Sequence, residues 1–416
     1  MTTAAQPVKK CPVDHLNLVD PDTFATGLPL EAFSTMRDEA PVFWHDQPGS
    51  WGEGFWVVSR LEDVREVSRT PEVFSSYARG ALLTMGDEAD EEMALAMTRQ
   101  LMLNMDPPEH GAYRQIVQRA FNPRTIRNLE ARLQEFADEI VDRAIAKGEG
   151  DFVEDIAAEL PLLAICELVG VPAEERKRVF ELSNTMVGFD DPELGGTPEL
   201  AQEAMGEMFV MADALARAKE GCPGEDIISK LLAAETGSGA LTPDQFAIFF
   251  VLLMVAGNET TRNAITHGMQ AFFEHPDQWE LFKKERPLET AAEEIIRWAS
   301  PIIQFQRTAL SDYTLGGQQI RANDRVVIYY SAANRDERSL ERPDTFDITR
   351  AENEHVAFGG GGPHFCLGAN LARAEVRIIF DTIARRMPDI APLAEPRALR
   401  SNFVHGIKEL RVRYTP

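Results

Sequence analysis

Phe358-Gly359-Gly360-Gly361-Gly362-Pro363-His364-Phe365-Cys366-Leu367-Gly368 is the stretch that decides how this 416-residue chain is read. Four consecutive glycines let backbone pass close to a flat object, because no Cβ stands in the way. A helix is expected directly afterwards, with Leu371, Ala374, Ile378, Ile379 and Ile383 as its apolar stripe and Met387-Pro388 as its end. Cys366 therefore sits just before a helix N-terminus, where backbone N–H groups and the positive end of the dipole stabilise a thiolate. An isolated cysteine reads as inert and a glycine run as a loose loop. Placed together ahead of a helix, they point to a sulfur that does chemistry.

Working backwards, Thr242-Pro243-Asp244-Gln245 offers an N-cap threonine, a proline at the first helical position and a glutamine three residues on. The helical pattern continues to about His275-Pro276, ~33 residues or ~50 Å. Its first half, Phe246 to Ala256, is apolar all round, as expected of a helix running through a core. In its middle lies Ala256-Gly257-Asn258-Glu259-Thr260-Thr261. A glycine costs a helix ~1 kcal/mol relative to alanine, and a buried carboxylate costs more unless it is satisfied. A simple switch to an amphipathic surface would also account for this segment.

Segments 126–147, 199–219 and 289–299 also read as helix, from apolar residues at three- and four-residue spacing. Strands are short and fall in two places. One is Pro41 to Arg60, around a turn at Gly52 and Gly54; the other is Gln304 to Tyr330, with turns at Gly316-Gly317 and Asn323-Asp324. The expectation is a mainly α protein with a large helical body and a small β-sheet region. No linker, repeat or low-complexity block divides residues 1–416, so a single domain is expected.

Bulk properties exclude several functions. With 67 acidic and 42 basic residues the formal charge is −25, which disfavours binding to nucleic acid or to an anionic membrane. The first ten residues lack the apolar core of a secretory signal, and the longest apolar run, 11 residues, is too short to span a bilayer. Cys11, Cys166 and Cys222 are expected as free thiols, and the chain as cytoplasmic with no membrane anchor.

The Cys366 loop resembles the haem-binding loop of cytochromes P450, in which a cysteine thiolate is the iron ligand. One departure is visible: most members place the phenylalanine seven residues before the cysteine, and Phe358 lies eight before Cys366. Glu294-Ile295-Ile296-Arg297 looks like the family's Glu-x-x-Arg pair. The spacing alone is that of an ordinary helical ion pair, shared by Glu66/Arg69 and Glu175/Arg178; its place between the long helix and the cysteine loop gives it meaning. By the same resemblance, Arg350 completes a buried structural triad with Glu294 and Arg297. His110 and Arg114, one turn apart, join Arg307 and His364 at positions where the family binds the two propionates of haem b.

The resemblance further implies that Ala256 and Gly257 face the distal side of the haem, with Phe358, Gly359 and Gly368 around it. Glu259 and Thr260 match the acid–alcohol pair that delivers protons during oxygen activation. A helical salt bridge from Glu259 to Arg262 or Asn263 is the plainer alternative. Retention of the pair argues for a monooxygenase using O2, against a haem-thiolate isomerase or peroxygenase. With no flavin domain and no phosphate-binding glycine motif in the chain, electrons are expected from a separate ferredoxin and ferredoxin reductase. Arg119, Arg124, Arg127, Arg373 and Arg377 are the expected docking patch.

For the substrate, methionines in 80–105 (Met85, Met93, Met97, Met102, Met105) and, with Phe189, in 186–211 (Met186, Met205, Met208, Met211) suit walls that wrap an apolar ligand, or are plain core filler. Val255, Ile302, Ile303, Phe403 and Val404 are further candidate pocket residues, so a hydrophobic small molecule is expected. Ala256 to Asn263, Gln304 to Ala309 and His405 to Lys408 resemble the sterol side-chain and methyl-branched-lipid hydroxylases, which oxidise a terminal methyl. Terpenoid and alkane or fatty-acid hydroxylases share much of that wording.

Overall fold

A computed structural model describes residues 9–47, 54–83, 95–96, 98–118, 121–187, 191, 193, 197–220, 227–232, 235–236, 239–240 and 242–415. The capping signals set the long helix as expected: it runs Pro243–Glu274. Thr242 Oγ1 accepts the Gln245 N–H at 3.2 Å while Gln245 Oε1 accepts the Thr242 N–H at 2.9 Å. This closes two of the helix's open N–H groups. His275 caps the far end, and Pro276 starts a new helix, Pro276–Glu285.

Around this axis pack Glu159–Val169, Arg176–Val187, Pro198–Glu220, Leu288–Ala299 and Ala369–Arg386. Their apolar faces meet in one large core containing Phe246, Phe250, Ile265, Ile295, Ile379 and Ile383. The last of these helices follows the cysteine and also packs on Pro123–Lys147. The helix that Cys366 precedes is thus packed against both the long helix and Pro123–Lys147.

The main sheet runs in the order Val42–Asp46, Gly54–Val58, Arg325–Tyr329, Gln304–Ala309, Phe74–Ser75. Its pairs are antiparallel except Gly54–Val58 with Arg325–Tyr329. The two turns expected in the second region are present: Gly316, Gly317 and Asn323 all have positive φ. The two faces of the sheet carry separate cores, one with Phe33, Phe43, Ile303 and Tyr329, the other with Leu61, Val64, Ala309 and Ile328. Cys11 and Cys166 are unpaired thiols; Cys222 lies outside the described residues. Among the described residues no helix is long and apolar enough to cross a membrane.

Candidate active site

The cysteine loop folds back on itself. The Cys366 N–H donates to the Phe358 carbonyl at 2.8 Å, so the eight-residue spacing still brings the two residues together. Gly359, Gly361 and Gly362 take positive φ values of 98°, 91° and 72°. The tight approach made by the glycines is to the helix Leu61–Arg69. A Cβ on Gly360 would lie 2.5 Å from Ser68 Oγ, and one on Gly362 would lie 2.2 Å from the Ser68 carbonyl oxygen. Burial pushes the Cys366 thiol up, while N–H groups of Gly368 and Ala369 and the charges of Arg114 and Arg373 pull it down. The Phe358 ring lies beneath the Arg373 guanidinium at 4.5 Å, and Arg373 is ion-paired to Glu293. Glu293 also meets His355 at 2.9 Å. Burial alone would raise its carboxyl; hydrogen bonds to His355 and Arg373 hold it at about 2.

Behind the loop, Glu294, Arg297 and Arg350 form one buried network. Arg297 Nε and Nη2 each donate to the Glu294 carboxylate at 2.8 Å, and Arg350 Nε donates at 3.1 Å. The Asp347 N–H and Asn353 Nδ2 add donors at 2.9 and 3.0 Å. Further guanidinium N–H groups go to carbonyls, Arg297 to Asn334 and Pro343, Arg350 to Glu341, Arg342 and Thr345. Burial would raise the Glu294 carboxyl, yet Arg297 and its other donors keep it below its ordinary range.

On the other side of the loop four basic groups converge. The His110 and His364 rings are 4.3 Å apart, Arg114 Nη1 donates to the Pro363 carbonyl at 3.0 Å, and Arg307 is buried with Nη1 on its neighbour's carbonyl. Burial, then Arg114 and Arg307, push His110 down to about 4; burial, then Arg307, push His364 to about 2. The nearby carboxylate of Asp106 is taken by Ser75 Oγ and the Ser76 N–H. A basic cluster packed this way suits anionic groups.

Facing the loop is the middle of the long helix. Ala256 is exposed there, and Thr260 Oγ1 donates back to its carbonyl at 2.9 Å. A Cβ on Gly257 would come 3.1 Å from Ile165 Cγ1, so the glycine permits the close crossing with Glu159–Val169. Glu259 is buried and held by Arg262 in an ion pair and by Asn263 Nδ2 at 2.9 Å. The plainer pairing foreseen from the sequence is therefore present. Arg262 Nη1 in turn reaches Asn184 Oδ1 on Arg176–Val187 at 3.0 Å.

The profile described as Cytochrome P450 matches residues 278–387. Over 406 residues, 96% of this chain and 85% of the relative, the sequence is 50% identical to the steroid C26-monooxygenase of Rhodococcus jostii. The chain belongs to the cytochrome P450 family. This P450 is also 41% identical over 395 residues to the methyl-branched lipid omega-hydroxylase of Mycobacterium tuberculosis, covering 92% of this chain and 90% of the relative. Among solved structures, a cytochrome P450 of Mycobacterium marinum in complex with pseudoionone matches with a TM-score of 0.90 at 37% identity, over 99% of this chain and 100% of that one.

The family is haem-thiolate, and this P450 is a monooxygenase that uses haem b. Its residues fit that group: a sulfur with helix N–H donors, and a basic cluster with its one carboxylate engaged, suited to two propionates. Of the candidate pocket residues, Val255, Ile302 and Phe403 are partly exposed. Ile303 is fully buried in the sheet's N-terminal core, and Val404 is 4% exposed, bridging Ile302. Ile303, just ahead of the strand Gln304–Ala309, packs into that core, whereas Phe305 is partly exposed, packs against the core on the other face and lies 5.4 Å from Phe403. Met85, Met93, Met97 and Phe189 lie outside the described residues. Met105 and Met208 are core, Met205 is 38% exposed, and Met102, Met186 and Met211 pack partly buried on the core.

Two buried polar residues escaped the sequence reading. Glu375, on the helix after the cysteine, is fully buried against Thr261 of the long helix, and burial raises its carboxyl well above the ordinary range. Asn258 is buried with both amide atoms lacking a partner among the described residues. Neither has a local spacing that could have flagged it.

Proposed function

We propose that this P450 hydroxylates a terminal methyl of a sterol side chain, with a methyl-branched lipid as the second reading. The observation that carries the proposal is the 50% identity to a steroid C26-monooxygenase over nearly the whole chain. The apolar character of Val255, Ile302, Phe305 and Phe403 supports it, since such walls hold a hydrocarbon by burial.

When bound, haem supplies the oxygen activation that places one atom of O2 into an unactivated C–H bond. Cys366 is the thiolate ligand, with the Gly368 and Ala369 N–H groups steadying its charge. His110, Arg114, Arg307 and His364 bind the propionates. Phe358, clamped by Arg373, packs beside the ligand loop with Gly359. Ala256 leaves room on the distal side. Thr260 donates its hydroxyl proton and can accept another at the same oxygen, while Glu259 supplies protons from behind the helix. Glu294, Arg297 and Arg350 hold the segment 341–353 in place and take no part in the chemistry.

Electrons come from a ferredoxin and its reductase, and the protein works in the cytoplasm. Arg373 and Arg377 are paired with Glu293 and with Glu130 and Glu289, and Arg119 lies outside the described residues. Arg124 and Arg127 remain exposed. Arg127→Glu is expected to slow reduction in stopped flow and leave substrate affinity unchanged; unaltered reduction removes it from the docking site.

The test of the substrate is an optical titration of the ferric protein with cholest-4-en-3-one, beside a methyl-branched fatty acid and a terpene alcohol. A tight shift to high spin with the steroid is expected. A shift with the branched acid alone would transfer the assignment to the second reading.

A further inference from the structure

Asn263 lies one turn beyond Glu259 and is fully buried, and its carboxamide is engaged in two directions. Nδ2 donates to Glu259 Oε1 at 2.9 Å and to the Glu259 carbonyl at 3.0 Å. Oδ1 accepts the Ile407 N–H at 3.1 Å. Ile407 ends a turn whose other end, Phe403, stands at the open side against Phe305. Gly406 makes the contact possible, since a Cβ there would sit 3.1 Å from Asn263 Oδ1 and 3.0 Å from Leu399. One helical turn further on, His267 stacks on His405 at 3.9 Å, and His405 Nδ1 lies 2.6 Å from the Ala299 carbonyl oxygen. The turn is thus docked on the long helix at two successive levels.

We infer that Asn263 is a positioning residue that couples the seating of the Phe403–Ile407 turn on the substrate to the orientation of the Glu259 carboxyl. Oδ1 and Nδ2 share one carbon and one plane, so the rotation that releases Ile407 also carries the donor away from Glu259. The carboxyl then has Arg262 as its remaining side-chain partner and is no longer held in its orientation from the Asn263 side. A substrate that fails to seat the turn is therefore oxidised inefficiently even when it binds. This rests on the assignment of Glu259 to proton supply.

The test uses the holoenzyme with whichever substrate gives the spin shift, in wild type, Asn263→Leu, Asn263→Asp, Phe403→Ala and the Asn263→Leu/Phe403→Ala double variant. Amide exchange at Ile407 is expected to rise about tenfold in Asn263→Leu and Phe403→Ala, and to stay protected in Asn263→Asp, which keeps the acceptor. The ratio of hydrogen peroxide to hydroxylated product is expected to rise about tenfold in all three single variants. The double variant should match the worse single one, because the two changes break one coupling. An additive double variant, or a wild-type peroxide ratio in Asn263→Asp, overturns the inference. Glu259→Gln separates the two levels: if it leaves the ratio unchanged the acid assignment itself falls, and if it raises the ratio while the Asn263 variants do not, the coupling alone falls.

Discussion

The two sides of the cysteine loop's surroundings are built on opposite principles. Behind the loop, the Glu294 carboxylate is saturated: each of its oxygens has two donors or more, and both guanidinium groups also find carbonyls, although Asn353 Oδ1 has no partner among the described residues. Across from it, the centre of the long helix and two helices packed on it carry polar atoms without a partner among the described residues: both amide atoms of Asn258 and Arg262 Nε on the long helix, Ser183 Oγ on Arg176–Val187 and Glu375 Oε2 on Ala369–Arg386. Buried polar groups are ordinarily paired, and an unpaired one costs about 1–3 kcal/mol. A saturated network resists change, while an unsaturated one retains hydrogen-bonding capacity for use. The first region holds the cysteine loop still; the second surrounds Glu259 and Thr260, to which the proposed function gives the supply of protons.

The largest test of this contrast is Arg297→Ala. It strands the Glu294 carboxylate in a buried site, and stability should fall by about 3–5 kcal/mol in urea denaturation. A loss below about 1 kcal/mol would show that the network relaxes, and the contrast would fail there.

Asn258→Leu probes the opposite side. With no protein hydrogen bond to lose, the variant should be as stable as wild type or more stable by about 1 kcal/mol, read from the melting temperature. A clear loss of stability would show that Asn258 is hydrogen-bonded after all.

Glu375→Gln is expected to have the smallest effect, one that depends on pH. The folded carboxyl keeps its proton at pH values where the unfolded chain, with an ordinary value of about 4.3, has lost it. The folded state therefore binds more protons, and wild-type stability falls as pH rises above the unfolded value. The variant lacks that loss, so its advantage should be absent near pH 4 and grow toward pH 8. Parallel stability curves would mean that Glu375 ionises in place.

Most of the frame was legible because its signals are local. Thr242 and Gln245 announce the start of the long helix, Pro276 its end, and Gly316-Gly317 and Asn323 their turns. The Glu294 triad was accessible only through family resemblance, since its spacing recurs elsewhere in the chain. What escaped depends on partners distant in sequence: Ile165 explains Gly257, Thr261 faces Glu375, and Ile407 gives Asn263 its second bond. Ile303 and Val404 are buried for a related reason. Their apolar character suits a pocket or a core equally, and only packing against residues distant in sequence decides how far each is covered.

The surplus glycine ahead of Cys366 shows how a chain can vary in length without changing what it grips. The Phe358 carbonyl and Cys366 amide fasten the loop from inside, so an added residue is displaced outward onto the helix Leu61–Arg69. In chain entropy the extra residue costs only ~0.1 kcal/mol. The restriction is steric: the insertion is tolerated where it carries no side chain, because Ser68 and Val64 leave no room at Gly360. Counting residues between phenylalanine and cysteine would pass over such a protein, whereas asking which carbonyl meets the cysteine amide would find it.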